Sequence, residues 1–187
     1  GRTRCAARAI TDHLLEKGHR RVGFVRGPRE HLVSMRRYNG FASAIGGKRL
    51  SLDPALIVQG DFSRKSGREL AGRLFAARPT AIFASNDEMA IGIIEAANAA
   101  RIAIPGDISL VGFDDNAAAK SCRPRLTTVR QPLEEMGETA CRLLVERIRN
   151  PAKPSAHEQV PFQIVERESV AELTDDGAGS QPLAGAA

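Results

Sequence analysis

Residues 79–116, PTAIFASNDEMAIGIIEAANAARIAIPGDISLVGFDDN, decide the fold. Thr80-Ala81-Ile82-Phe83-Ala84 is an apolar run too short for a helix, bounded by Pro79 and by Ser85-Asn86-Asp87, and it reads as a buried strand. Met89, Ala90, Ile93, Ile94 and Ala97 follow at i, i+1, i+4, i+5 and i+8, the spacing of a wide apolar helix face. A second buried strand is predicted over 108–113, after Pro105-Gly106-Asp107 and before Asp114-Asp115-Asn116. A right-handed crossover makes the two strands parallel, so Asn86 and Asp114 leave the sheet at the same edge. In open α/β sheets that edge is where ligands bind.

The same alternation extends towards the amino terminus. A helix is predicted over 3–17, with Ala6, Ala7, Ile10, Leu14 and Leu15 on one face and Gly18 as its stop. Val22-Gly23-Phe24-Val25 reads as a strand ended by Gly27-Pro28, and Ser34 as the cap of a helix running to Ile45. Leu56-Ile57-Val58 is the next strand, and Ser63 caps a helix through Ala77. Strand and helix in turn give an α/β protein with a mainly parallel sheet and helices on both faces.

Beyond Asp114 the rhythm changes. Residues 115–125 read as an irregular polar loop and 126–129 as a short strand. Pro132 stands where a first helical residue tolerates proline, ahead of a long helix to about Arg149. Met136, Ala140, Leu143, Leu144 and Ile148 form its apolar face, and Pro151 and Pro154 end it. Gln159-Val160 and 162–165 read as one or two closing strands. Residues 171–187, above all DDGAGSQPLAGAA from Asp175, lack core formers and are expected to be disordered.

The chain has 187 residues, enough for one domain or for a lobe with appendages. Its formal net charge of +5 is unevenly placed: residues 1–40 carry ten Lys and Arg against three Asp and Glu. No helix-turn-helix, zinc-finger spacing or aromatic-interleaved basic stripe turns that excess into a nucleic-acid footprint. Solvated helix faces account for it. Nothing approaches a membrane-spanning run. Cys5, Cys122 and Cys141 are odd in number and widely spaced, which fits reduced thiols in a cytoplasmic protein and no metal site.

Three strand ends converge on one edge: Asp61-Phe62, Asn86-Asp87 and Asp114-Asp115. Arg37 joins them if the loop after Gly27-Pro28 folds over the crevice. A guanidinium, an amide, a carboxylate and an aromatic face suit a polyhydroxylated ligand, with the ring covering C–H groups and the polar groups bonding vicinal hydroxyls. Each residue also has a plainer reading. Asn86 serves equally well as the N-cap of the next helix, Phe62 as core, His31 as a surface residue, and Asp114-Asp115 as an Asx-type turn. Adjacent strand residues point to opposite faces, so only one of the two aspartates faces the crevice, which argues against a glycosidase carboxylate pair. No hydrolase, phosphate-loop, dinucleotide or zinc-protease motif occurs. Asp114 with Lys120 could imitate a phospho-accepting receiver, but Lys120 lies in a loop rather than at a separate strand end. The expectation is a binding protein, not an enzyme, with no cofactor.

Seven stretches, in order, resemble the effector-binding domain of LacI/GalR-family transcription regulators, whose sensor fold is shared with periplasmic sugar-binding proteins. They are HLLEKGHRRVGFVRGP (13–28), RRYNGF (36–41), VQGDFSRKSG (58–67), RPTAIFASNDEMAIG (78–92), IPGDISLVGFDD (104–115), LTTVRQPLEEMG (126–137) and VERES (165–169). The resemblance implies one lobe of a two-lobe sensor. Residues 1–130 would be the carboxy-terminal α/β lobe, 131–155 a helix belonging to the other, mostly missing lobe, and 156–170 the returning strand. It also implies an amino-terminal DNA-binding head absent from this chain, a homodimer, and a small sugar-like effector. By the same resemblance, Arg37 contacts effector hydroxyls, Phe62 stacks on the ligand, and Asn86 and Asp114 supply its amide and carboxylate. Gln131 lies near the ligand at the lobe crossing, and His31 and Val33 occupy positions that vary with effector. Asn86 with Arg37 and Asp114 is more similar to sugar-responsive than to purine-responsive members. The alternative is a fragment of a periplasmic sugar-binding transport protein. LTTVRQPLEEMG and the unpaired cysteines favour the regulator.

Overall fold

A computed structural model describes residues 2–151, 158 and 160–173. The first half alternates as expected: α1 (Arg2–Glu16), β1 (Val22–Arg26), α2 (Leu32–Gly47), β2 (Ile57–Gln59), α3 (Arg64–Ala76), β3 (Ala81–Ala84), α4 (Asp87–Ala99) and β4 (Ser109–Val111). The four strands form one parallel sheet in the order β2-β1-β3-β4. β5 (Thr128–Arg130) continues the sheet past β4 through single parallel bridges, Val111 to Thr127 and Asp114 to Arg130, and pairs antiparallel with β6 (Gln163–Val165).

Strand alternation divides the apolar side chains between two layers. On one face Phe24, Phe83, Val111 and Phe113 meet Ala7, Ile10 and Leu14 of α1 and Phe41 and Ile45 of α2. On the other, Val25, Val58, Ile82, Ala84 and Leu110 meet Ala71 and Leu74 of α3 and Met89, Ala90, Ile93 and Ile94 of α4. Both layers are closed to solvent, and helices do cover both faces of the sheet.

Several local expectations are corrected. Ser34 is not a cap: α2 begins three residues earlier than such a cap requires, at Leu32 after His31, and the Ser34 hydroxyl instead donates to the Gly27 carbonyl at 2.7 Å. Leu56 belongs to a single 3-10 turn (Pro54–Leu56) that Asp53 caps ahead of β2. The stretch 115–125 is not wholly irregular, because α5 (Ala117–Ser121) forms there, capped by the Asn116 side chain and anchored by buried Ala119. Val160 lies outside β6, and Gln159 and Pro154 fall outside the described residues. So does 174–187, most of the expected tail. Residues 171–173 are held in place: Ala171 N–H donates to Ser109 Oγ at 3.0 Å and Leu173 N–H to the Lys17 carbonyl at 2.8 Å. The last helix, α6 (Leu133–Arg149), has no buried residue.

Candidate functional site

The carboxyl ends of β1, β2, β3 and β4 bring the expected residues to one edge. Arg37 lies in the helix that follows the Gly27-Pro28 loop, as the sequence suggested. It stands in the second turn of α2, almost entirely buried, with its guanidinium carbon 4.0 Å from the centre of the Phe113 ring. It donates to the Ser85 carbonyl and, at 2.9 Å, to Asp114 Oδ1. Its Nε is buried with no partner among the described residues. Burial works against both charges of the pair, pulling Arg37 down and pushing the Asp114 carboxyl up, while their mutual attraction opposes both shifts. A guanidinium stays protonated regardless.

Asp114 Oδ1 also accepts from Gln131 Nε2 at 2.9 Å, so one oxygen gathers two elements. Oδ2 has no partner among the described residues, and the side chain keeps 37% of its exposure. An open carboxylate oxygen beside a fixed guanidinium is what a ligand hydroxyl requires. Asp115 is turned elsewhere, but by a turn past β4 in which both aspartates have positive φ (+114° and +55°) rather than by strand alternation. Burial disfavours its charge, but hydrogen bonds from Arg167 and Arg130 outweigh burial and hold the carboxyl below its ordinary range. Its role is to tie the 165–169 segment to the sheet.

Phe62 flanks this centre, 5.8 Å from the Arg37 guanidinium and 5.9 Å from the His31 ring. Its φ of +72° is unusual for an aromatic residue and sets the ring over Gly27, where an added Cβ would lie 2.1 Å from ring carbons. His31 is exposed beside it and makes no side-chain cap for α2. Asn86 takes the capping role: Oδ1 accepts from Met89 N–H at 3.0 Å, and Nδ2 donates to the Phe62 carbonyl at 2.9 Å. It thus positions the ring-bearing loop whether or not it touches a ligand.

Ser85 and Phe113 were not legible as site residues, and Asp87 was read only as part of the Asn86-Asp87 strand end. Ser85 contributes only its carbonyl, which its residue type does not advertise. Phe113, read simply as strand, lies against Arg37; its position next to Asp114 was the available signal. Asp87, in the first turn of α4, is buried and accepts from Thr128 Oγ1 at 2.6 Å and Asn116 N–H at 2.8 Å. Burial pushes its carboxyl from 3.8 up to about 7 against those hydrogen bonds, and Asp114 and Asp115 push the same way. Gly112 permits this approach, since a Cβ there would sit 2.3 Å from Asp87 Oδ1.

Comparison with known proteins matches residues 11–170 to the periplasmic binding protein-like domain. The HTH-type transcriptional repressor PurR of Klebsiella pneumoniae (strain 342) is 39% identical over 162 residues, which are 86% of this chain and 48% of that protein. The chain therefore spans about half the length of the curated relatives it matches. Among solved structures, a transcriptional regulator CelR–cellobiose complex superposes with a TM-score of 0.83 at 30% identity, over 90% of this chain and 52% of that one. A LacI family transcriptional regulator from Enterococcus faecium with bound ribose gives 0.83 at 28%, over 92% and 65%.

Proposed function

The chain belongs to the periplasmic binding protein-like domain family, in the form carried by LacI-family regulators, and from that premise we propose that it is the effector-sensing part of such a DNA-binding regulator. The effector is a sugar or related polyhydroxylated metabolite. The observation that carries this reading is the Arg37–Asp114–Gln131 junction, which leaves one carboxylate oxygen without a partner among the described residues, next to a guanidinium 5.8 Å from the Phe62 ring, at the carboxyl edge of a parallel sheet. Arg37 and Asp114 bind vicinal hydroxyls, Phe62 covers the sugar's C–H face, Gln131 steers the carboxylate, and Asn86 and His31 shape the rim.

In the whole protein, residues 1–130 form one lobe, 131–155 a helix of the second lobe, and 156–170 the returning strand. The unburied apolar face of α6 supports that division. Effector binding between the lobes changes the geometry of a homodimer and, through it, the DNA affinity of a separate head, in the cytoplasm. Relatives named as regulators, among them complexes with cellobiose and with ribose, favour this over a transport protein and over catalysis.

Calorimetry on the complete two-lobed protein with ribose, cellobiose and a purine base tests the proposal. One sugar should bind, and Arg37→Ala and Asp114→Ala should each weaken it about tenfold or more, the cost of losing a charged hydrogen-bond partner. Operator binding without effector should survive both changes. Unchanged sugar affinity in both variants would remove this junction from the site, and selective binding of the purine would overturn the sugar reading.

A further inference from the structure

A second cluster, on the β2 edge of the sheet and apart from the Arg37–Asp114 junction, has unspent charge. Arg26 closes β1 on the same face as Phe24, and its guanidinium carbon lies 3.4 Å from the centre of the Tyr38 ring. Its Nε is buried, and among the described residues no hydrogen-bond or ion-pair partner reaches any of its nitrogens. Arg29, on the following loop, uses only Nε among the described residues, on Gln59 Oε1 at 3.3 Å. Gln59 is held in turn, because its Nε2 donates to the Gly27 and Gly60 carbonyls and so keeps Oε1 towards Arg29. Arg26, Arg29, Tyr38 and Gln59 line one open hollow together with Ser34 and Met35. The neighbouring Glu30 is exposed and makes no ion pair with either arginine.

Two like charges brought to one hollow repel each other, and a buried donor without an acceptor is costly. An anion in the hollow relieves such an arrangement by giving acceptors to the remaining guanidinium nitrogens. We infer that Arg26 and Arg29 form an oxyanion site for a phosphate group, held between two guanidinium forks with Tyr38 as the wall behind Arg26. Phosphate rather than carboxylate fits the charge, since a phosphate at neutral pH carries about −1.5 to −2 against the two arginines. Tyr38 keeps Arg26 flat and limits its rotamers, so the fork is presented already oriented. The site is independent of the effector reading, because none of its residues belongs to that junction.

Calorimetry of the full chain at neutral pH and constant ionic strength tests it, with inorganic phosphate and glycerol phosphate as the two probes. Saturable binding is expected, with Arg26→Gln and Arg29→Gln each raising Kd about tenfold. Arg49→Gln, which removes an exposed charge beyond the far end of α2, should leave Kd within about twofold. Tighter binding of the ester would identify the phosphoryl group of a larger metabolite as the ligand, and tighter binding of inorganic phosphate the free anion. If Arg26→Gln fails to fold, Arg29→Gln, on an exposed loop, carries the test. Absence of saturable binding, wild-type affinity in Arg29→Gln, or an equal loss in Arg49→Gln overturns the proposal.

Discussion

α4 and α6 each carry an apolar face, broad in α4 and flanked by charged residues in α6, and they meet opposite fates. Eight of the thirteen residues of α4 are buried, against none of the seventeen in α6. In α4, Met89, Ala90, Ile93 and Ile94 close against the sheet and against α3. In α6, Leu133, Leu144 and Ile148 keep 64%, 61% and 69% of their exposure. The difference lies in the neighbours. An amphipathic pattern states that a helix face needs cover, whereas burial requires another element at the right place. α4 follows a strand whose crossover returns it to the sheet, and α6 leaves the sheet past β5, where none of the described residues buries its apolar face. The first helix is part of a finished core. The second presents a face that, in the proposed two-lobed protein, belongs to another lobe.

The largest effect should come from breaking the finished side. Phe24 is fully buried, with ring centres 4.7 Å from Phe41 and 5.1 Å from Phe83. Phe24→Ala should cost about 3–5 kcal/mol in urea denaturation, through lost transfer energy and the cavity left between three rings. A loss near 1 kcal/mol would mean that this layer relaxes as freely as α6, and the contrast between the two regions would collapse.

A smaller effect tests the polar seam inside the core. In the folded chain the Asp87 carboxyl, raised to about 7, holds a proton that the unfolded chain releases near 3.8. The folded state therefore binds more protons between those values, and stability from this group is lost as pH rises through that window. Urea midpoints for the wild type and Asp87→Asn at pH 5 and pH 8 read this directly. The two proteins should be close at pH 5, and the asparagine variant should be the more stable at pH 8. An equal difference at both pH values would show that Thr128 and Asn116 hold the charged form throughout.

Most of the closed core was legible, because β1, β3 and β4 are short apolar runs and Ser63 and Asn86 are caps with a physical signature. α5 was not: Ala117-Ala118-Ala119-Lys120-Ser121 is one short turn without periodicity, and it exists because Asn116 caps it and Ala119 finds a buried place. The start of α2 was misread because exposed Leu32 and Val33 give no inward signal, while the Ser34 hydroxyl that resembled a cap is used by Gly27. At the site, side-chain chemistry was readable in Arg37 and Asp114, and the expectation that only one of the two aspartates faces the crevice holds, through a turn with positive φ at both rather than through strand alternation. Backbone contributions were not, since Ser85 acts through a carbonyl that any residue carries. The depth of Arg37 also escaped, because periodicity places an arginine outside unless a carboxylate from a distant strand is known to wait for it.

The smallest effect should lie on the open side, and its smallness is the point. Leu144→Ala and Ile148→Ala remove side chains that already keep most of their contact with water. Burial energy follows the area withdrawn from solvent, at about 25 cal/mol per Å², and these residues have little left to lose. Each change should alter the chain's unfolding free energy by about 0.5 kcal/mol or less, in the range of surface substitutions. In a complete protein whose second lobe covers α6, the same substitutions should cost about 2 kcal/mol or more, as buried Leu→Ala changes do. Urea denaturation of both forms supplies the pair of numbers. A large loss in the present chain would show the face already covered, and a midpoint rising with protein concentration would identify a second copy as the cover. Equal small losses in both forms would remove α6 from the lobe contact and leave its apolar spacing without a partner in the same protein.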